Sequence, residues 1–69
     1  MKWAFVISTN DAETMYNAMR LANVALKKGD EVSVFMLGKG VEFQEVGTDQ
    51  FDVAGQIQAF NGNGGDFLV

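Results

Sequence analysis

Apolar positions along the chain fall into two patterns, unbroken runs and helical repeats, and the two alternate. Trp3-Ala4-Phe5-Val6-Ile7 is apolar at every position, as in strands of parallel sheets that are covered on both faces. It predicts a central strand. Asn10 then offers an N-cap, Glu13 stands three positions on as a near capping box, and Asp11 places negative charge in the first turn, which together predict a helix start. Met15, Ala18, Met19, Ala22 and Leu26 recur at helical spacing and form one apolar face. Asn17, Arg20, Asn23 and Lys27 fall mostly elsewhere. Leu21, Val24 and Ala25 widen the stripe beyond a single contact, which predicts burial against a second surface such as another subunit. Lys27 and Lys28 suit the helix end, and Gly29 stops it.

Val32-Ser33-Val34-Phe35-Met36-Leu37 is the second strand, closed by Gly38-Lys39-Gly40. The unit is βαβ, with a right-handed crossover. Val41 to Gln50 is acidic and reads as a short helix with a turn at Gly47. Asp49 or Asp52 can cap a further helix in which Val53, Ile57 and Phe60 keep helical spacing. Gly55 inside it costs about 1 kcal/mol relative to alanine. Asn61-Gly62-Asn63-Gly64-Gly65 ends that helix, and Asp66 to Val69 begins a third strand. With the first strand central and the helices on opposite faces, the strand order becomes 2-1-3. The expected fold is α/β, a flavodoxin-like or Rossmann-like parallel sheet with helices on both faces, in a single domain over residues 1–69. Trp3, Met15, Met19, Met36 and Phe60 are expected in its core.

Composition narrows the chemistry. Five basic residues against nine acidic ones give a net charge of −4, without the positive field that nucleic-acid phosphates or anionic lipids require. Nucleic acid and membrane are not expected partners. The chain has no cysteine and no histidine, so thiolate metal sites, disulfides and histidine acid–base chemistry fall away. No metal, cofactor or catalytic residue is expected. The first apolar run is five residues long and runs into Ser8-Thr9-Asn10-Asp11 without a cleavage pattern. A cytoplasmic location is the expectation.

In a 2-1-3 sheet the order reverses beside the first strand, and ligands bind beyond the carboxyl ends of the strands at such a switch point. Ser8, Thr9 and Asn10 would line that crevice, together with whatever follows Val69. Backbone amides at the helix start could contact an anion, but a plain helix cap is preferred, because Asp11 and Glu13 stand where a phosphate would sit. Gly38, Lys39 and Gly40 leave the second strand at the same edge, so Lys39 could reach an anionic group there. The segment matches neither a Walker A loop nor a G-x-G-x-x-G turn and reads as an ordinary flexible loop. Asn61 to Gly65, the most glycine-rich stretch, falls at the opposite edge.

Phe5-Val6-Ile7-Ser8-Thr9-Asn10-Asp11-Ala12-Glu13-Thr14, Ala18-Met19-Arg20-Leu21-Ala22-Asn23, Lys28-Gly29-Asp30-Glu31-Val32, Phe35-Met36-Leu37-Gly38-Lys39-Gly40-Val41-Glu42 and Asn63-Gly64-Gly65 together resemble the DsrE/DsrF-like sulfur-relay family. The resemblance implies a flavodoxin-like sheet, in the order 2-1-3-4-5 when complete. It also implies homo- or hetero-oligomers with DsrE-like subunits, a sulfur-carrier protein as a further partner, and sulfur carried as a cysteine persulfide. In the family that cysteine follows the third strand. Here it would lie beyond Val69, so these 69 residues are expected to be an N-terminal portion, inert in transfer, that supplies the pocket wall: Ser8, Thr9, Asn10, Gly38, Lys39 and Gly40. Two other readings stay open, a non-catalytic flavin or nucleotide module and a structural subunit for assembly.

Overall fold

Strand β1 (Lys2–Ile7) forms on the first apolar run, and helix α1 (Ala12–Lys27) follows it in a computed structural model that describes residues 1–69. Strand β2 (Glu31–Met36), a run of 3-10 turns (Gly38–Glu45), helix α2 (Val53–Gly62) and strand β3 (Asp66–Leu68) complete the chain. The fold is α/β with a parallel three-stranded sheet.

The strand order is β1-β2-β3, which corrects the expected 2-1-3. β2 is central, and β1 is an edge. β1 pairs with β2 from Lys2↔Glu31 to Ile7↔Met36, and β2 pairs with β3 from Ser33↔Asp66 to Phe35↔Leu68. Two right-handed crossovers that advance in one direction put both helices on one face of the sheet. Helix α1 accordingly packs on α2 as well as on β1 and β2, and the helices do not lie on both faces. The physical reason is the double role of α1. Met15 and Met19 are fully buried in one core with Ile7, Val34 and Met36, and Val53, Ile57 and Phe60 of α2 join the same cluster. Because both helices share that core, β3 docks beside β2.

Asn23 shows the helix–helix contact directly. It is only 8% exposed, and its Nδ2 donates to the backbone oxygen of Gln56 at 3.0 Å and to Gln56 Oε1 at 2.9 Å. Of the three residues that widen the stripe of α1, Ala25 alone is buried within the chain, beside Ala22 and Asn23. Leu21 and Val24 stay half-exposed.

Local chemistry accounts for the remaining elements. Asp52 caps α2, accepting from the Gly55 N–H at 3.0 Å. A Cβ on Gly55 would collide with that carboxylate, so the glycine that weakens the helix interior makes room for its cap. Gly65 likewise lies flat against the Phe60 ring, where a Cβ would strike the ring atoms. Of the expected core residues, Met15, Met19, Met36 and Phe60 are buried, but Trp3 is 41% exposed. Trp3 stacks on Phe5, centroids 6.0 Å apart, and its Nε1 donates to Asp30 Oδ2 at 2.9 Å. That bond first, and the Met1 ammonium second, hold the Asp30 carboxyl below its ordinary value.

The other face of the sheet carries no helix. Ala4, Val6, Phe35, Leu37 and Leu68 are exposed on it. No helix of the chain is long and apolar enough to cross a membrane.

Candidate functional site

The two segments expected to line a site come together, because β1 and β2 are neighbours and parallel. The Leu37 N–H extends the ladder past the last strand pair by donating to the Ile7 carbonyl at 2.9 Å. Beyond it, Gly38 takes φ +50°, and a Cβ there would stand 3.8 Å from the Ser8 carbonyl oxygen. Gly40 turns back over the end of β1, its N–H bonded to the Leu37 carbonyl at 2.7 Å. A Cβ on Gly40 would collide with the Ile7 carbonyl. Gly38, Lys39 and Gly40 are therefore the first turn of the 3-10 run rather than a flexible loop.

Asn10 fastens the edge from the other side, its Nδ2 donating to Glu42 Oε1 at 3.1 Å. Glu42 was not among the expected site residues. Its position one turn beyond Lys39 in an acidic segment carries no sequence signal for this bond. The N-cap of α1 is Asp11, not Asn10. Asp11 Oδ2 accepts from the Thr14 hydroxyl at 2.7 Å and from the Thr14 N–H at 2.9 Å. Those two bonds, the hydroxyl first, hold its carboxyl below the ordinary 3.8. Thr9 Oγ1 accepts from the Asp11 N–H at 3.1 Å. The shift of the cap by one residue follows from this, since Thr9 turns the chain and leaves Asn10 free to reach Glu42.

The resulting edge is a rim rather than a pocket. The four concavities of the molecule lie elsewhere: at the amino ends of β2 and β3, beside the segment from Gln44 to Asp52, between Phe43 and Ile57, and on the bare sheet face. Lys39 forms no ion pair, and the carboxylates of Asp11 and Glu42 flank the rim. The strand order has no reversal, so the switch-point argument for a ligand crevice does not apply to this sheet. What the rim can do chemically is present two hydroxyls, an amide and one ammonium group to a surface that approaches it. Residues 61–65 lie at the opposite edge, as expected, where Asn63 and Gly64 border the concavity with Asp30 and Asp66.

Comparison of the chain with protein-family models, with curated proteins and with solved structures finds no match.

Proposed function

We propose that this chain is a non-catalytic subunit of a cytoplasmic DsrE/DsrF-like sulfur-relay assembly. Its rim forms part of the wall against which a partner's cysteine persulfide is held. One observation supports the reading above the others. The segments around Ser8 and Lys39, both within the stretches that carry the family resemblance, lie side by side and are tied by the Asn10–Glu42 bond. These 69 residues hold no cysteine to carry sulfur, so in this reading the persulfide is borne outside them and the rim only faces it. Lys39 is the one cation of the rim, and a nearby cation favours the thiolate form of sulfur. From a flavodoxin-like sheet the reading takes only the use of the carboxyl ends of β1 and β2, not the strand order. A flavin or nucleotide site finds less support, because the Asp11 carboxylate already occupies an amide of the first turn of α1.

The test is calorimetric titration of the chain with a cysteine-bearing DsrE-like carrier, before and after loading with a sulfane-sulfur donor. Binding is expected to tighten on loading, and Lys39→Glu is expected to weaken it about tenfold, a change of roughly 1.4 kcal/mol. No heat with either form of the carrier would overturn the reading.

A further inference from the structure

Two asparagines precede glycine, in Asn61-Gly62 and Asn63-Gly64, and all of these residues are exposed. Asparagine is among the chemically labile residues, and a glycine after it leaves the next main-chain nitrogen without a side chain to shield it. Asn10, Asn17 and Asn23 are followed by Asp11, Ala18 and Val24, and Asn23 is buried besides. The two Asn-Gly steps are alike in sequence, but the fold sets them apart. Asn61 and Gly62 close α2. In a helix the side chain leans toward the amino end while the next nitrogen lies toward the carboxyl end, so the Gly62 nitrogen is turned away from Asn61 Cγ. Asn63 stands outside the helix as its C-cap, at φ −100° and ψ 14°. Gly64 follows at φ +89° with open space where a Cβ would stand, and its N–H has only a long bond, 3.3 Å, to the Asn61 carbonyl. Rotation about the Cα–C bond of Asn63, which brings the Gly64 nitrogen onto Asn63 Cγ, meets no side chain at Gly64. One exposed bond opposes it, from Asn63 Nδ2 to the Ala59 carbonyl at 2.9 Å, and water replaces such a bond at small cost.

We propose that Asn63-Gly64 is a site of spontaneous deamidation in the folded chain, and that it reacts ahead of Asn61-Gly62. The Gly64 nitrogen gives its proton to hydroxide and attacks Asn63 Cγ. The N–Cγ bond forms, the Cγ–Nδ2 bond breaks, and Nδ2 takes a proton from water and leaves as ammonia. Water then opens the succinimide at either of its carbonyls. Cleavage at Cγ restores the main chain with aspartate at position 63; cleavage at the main-chain carbonyl leaves the chain running through Cγ, as isoaspartate. The sum is one water consumed and one ammonia released, with no change of oxidation state and no co-reactant beyond solvent.

The product weakens its own surroundings. A carboxylate cannot donate to the Ala59 carbonyl, so that cap bond is lost, and negative charge is set at the carboxyl end of α2, where the helix dipole opposes it. The new carboxylate also joins Asp30, Glu31 and Asp66 around the concavity at the amino ends of β2 and β3, and like charges repel. Isoaspartate further lengthens the main chain between α2 and β3. That connection is closely fitted, since the Gly65 N–H bonds to the Phe60 carbonyl at 2.9 Å and Gly65 lies against the Phe60 ring. The end of α2 and the seat of β3 loosen together. The rim lies at the other edge of the sheet, so this inference is independent of what meets the rim.

The test is peptide mapping by tandem mass spectrometry of the folded chain aged at mildly alkaline pH, beside the same chain aged in guanidinium chloride. In the denaturant Asn61 and Asn63 are expected to react at similar rates. In the folded chain Asn63 should keep much of that rate and Asn61 should fall several-fold below it, with the rate at Asn63 rising in proportion to hydroxide. Asn63→Gln, whose longer side chain must close a larger ring, should abolish the reaction at that position. The deamidated fraction, and Asn63→Asp as its stand-in, should unfold at a lower urea midpoint than the fresh chain. Equal rates at the two positions in the folded chain, or Asn61 ahead, overturn the proposal, as does an aged folded chain unmodified at Asn63. A deamidated fraction with an unchanged midpoint overturns the consequence drawn for α2 and β3.

Discussion

Phe60→Ala is expected to lose about 3–5 kcal/mol of stability. A chain of 69 residues has roughly 3–10 kcal/mol in all, so the variant should be largely unfolded without denaturant or close to it. Phe60 is completely buried and belongs to the core that unites both helices with the sheet. Its ring also supports the approach to β3, because Gly65 rests on it and the Gly65 N–H bonds to the Phe60 carbonyl at 2.9 Å. Removing the ring therefore opens a cavity and removes the seat of the last strand together. Urea titration followed by helical circular dichroism measures the loss. Phe60→Leu, which keeps most of the volume, should cost less than about 1.5 kcal/mol. A midpoint unchanged in Phe60→Ala would contradict the packing described.

Gly40→Ala is expected to cost about 2–3 kcal/mol, in the range of overpacked sites. The obstacle is backbone, the carbonyl of Ile7, which already accepts the Leu37 N–H. It cannot swing aside as a side chain would. The 3-10 run must lift from the end of β1, and the rim that joins Ser8 to Lys39 should loosen with it. Gly62→Ala is the matched control, since nothing lies within 4 Å of a Cβ there and its φ is not positive. That variant should be neutral or gain about 0.4–1 kcal/mol by restricting the unfolded chain. The pair is read in the same urea titration, and equal midpoints would contradict the close approach at Gly40.

The elements were legible in the sequence where local pattern decides them. Unbroken apolar runs located β1 and β2, and the spacing of Met15, Met19, Ala22 and Leu26 located α1. Asp52 was one of two candidate caps for α2, and Gly29 ended α1 as expected, at φ +89°. Strand order was not legible, because right-handed crossovers permit β3 to dock on either side of the pair. The choice is made by contacts between α1 and α2, and Asn23 is their polar centre. Met15, Met19 and Asn23 stand four residues apart on one helix face, so the spacing could have placed Asn23 inside. Its amide chemistry argued for the surface, and only Gln56, 33 residues away, supplies the donor's partners.

The unbroken pattern of β1 and β2 misled in a similar way. It correctly indicates strands with apolar side chains on both faces, but says nothing about what covers the second face. In this fold Ile7, Val32, Val34 and Met36 point to the helices, while Ala4, Val6 and Phe35 remain outside. The rim was legible as far as the parallel pairing of β1 and β2 brings Ser8, Thr9 and Asn10 near Gly38, Lys39 and Gly40. The Asn10–Glu42 bond and the fit of Gly40 on the Ile7 carbonyl depend on the 3-10 run, for which residues 38–45 carry no distinct periodicity.

The bare face and the absence of a switch point both depend on β2 lying between β1 and β3. Adjacent strands are about 4.8 Å apart and next-nearest strands about twice that, so backbone proton Overhauser contacts in the labelled chain separate the two orders. The account predicts contacts across Val34–Phe67 and Phe35–Leu68 together with Phe5–Val34 and Ile7–Met36. Contacts from β3 to Phe5 or Val6 in place of those to Val34 and Phe35 would put β1 at the centre and contradict it.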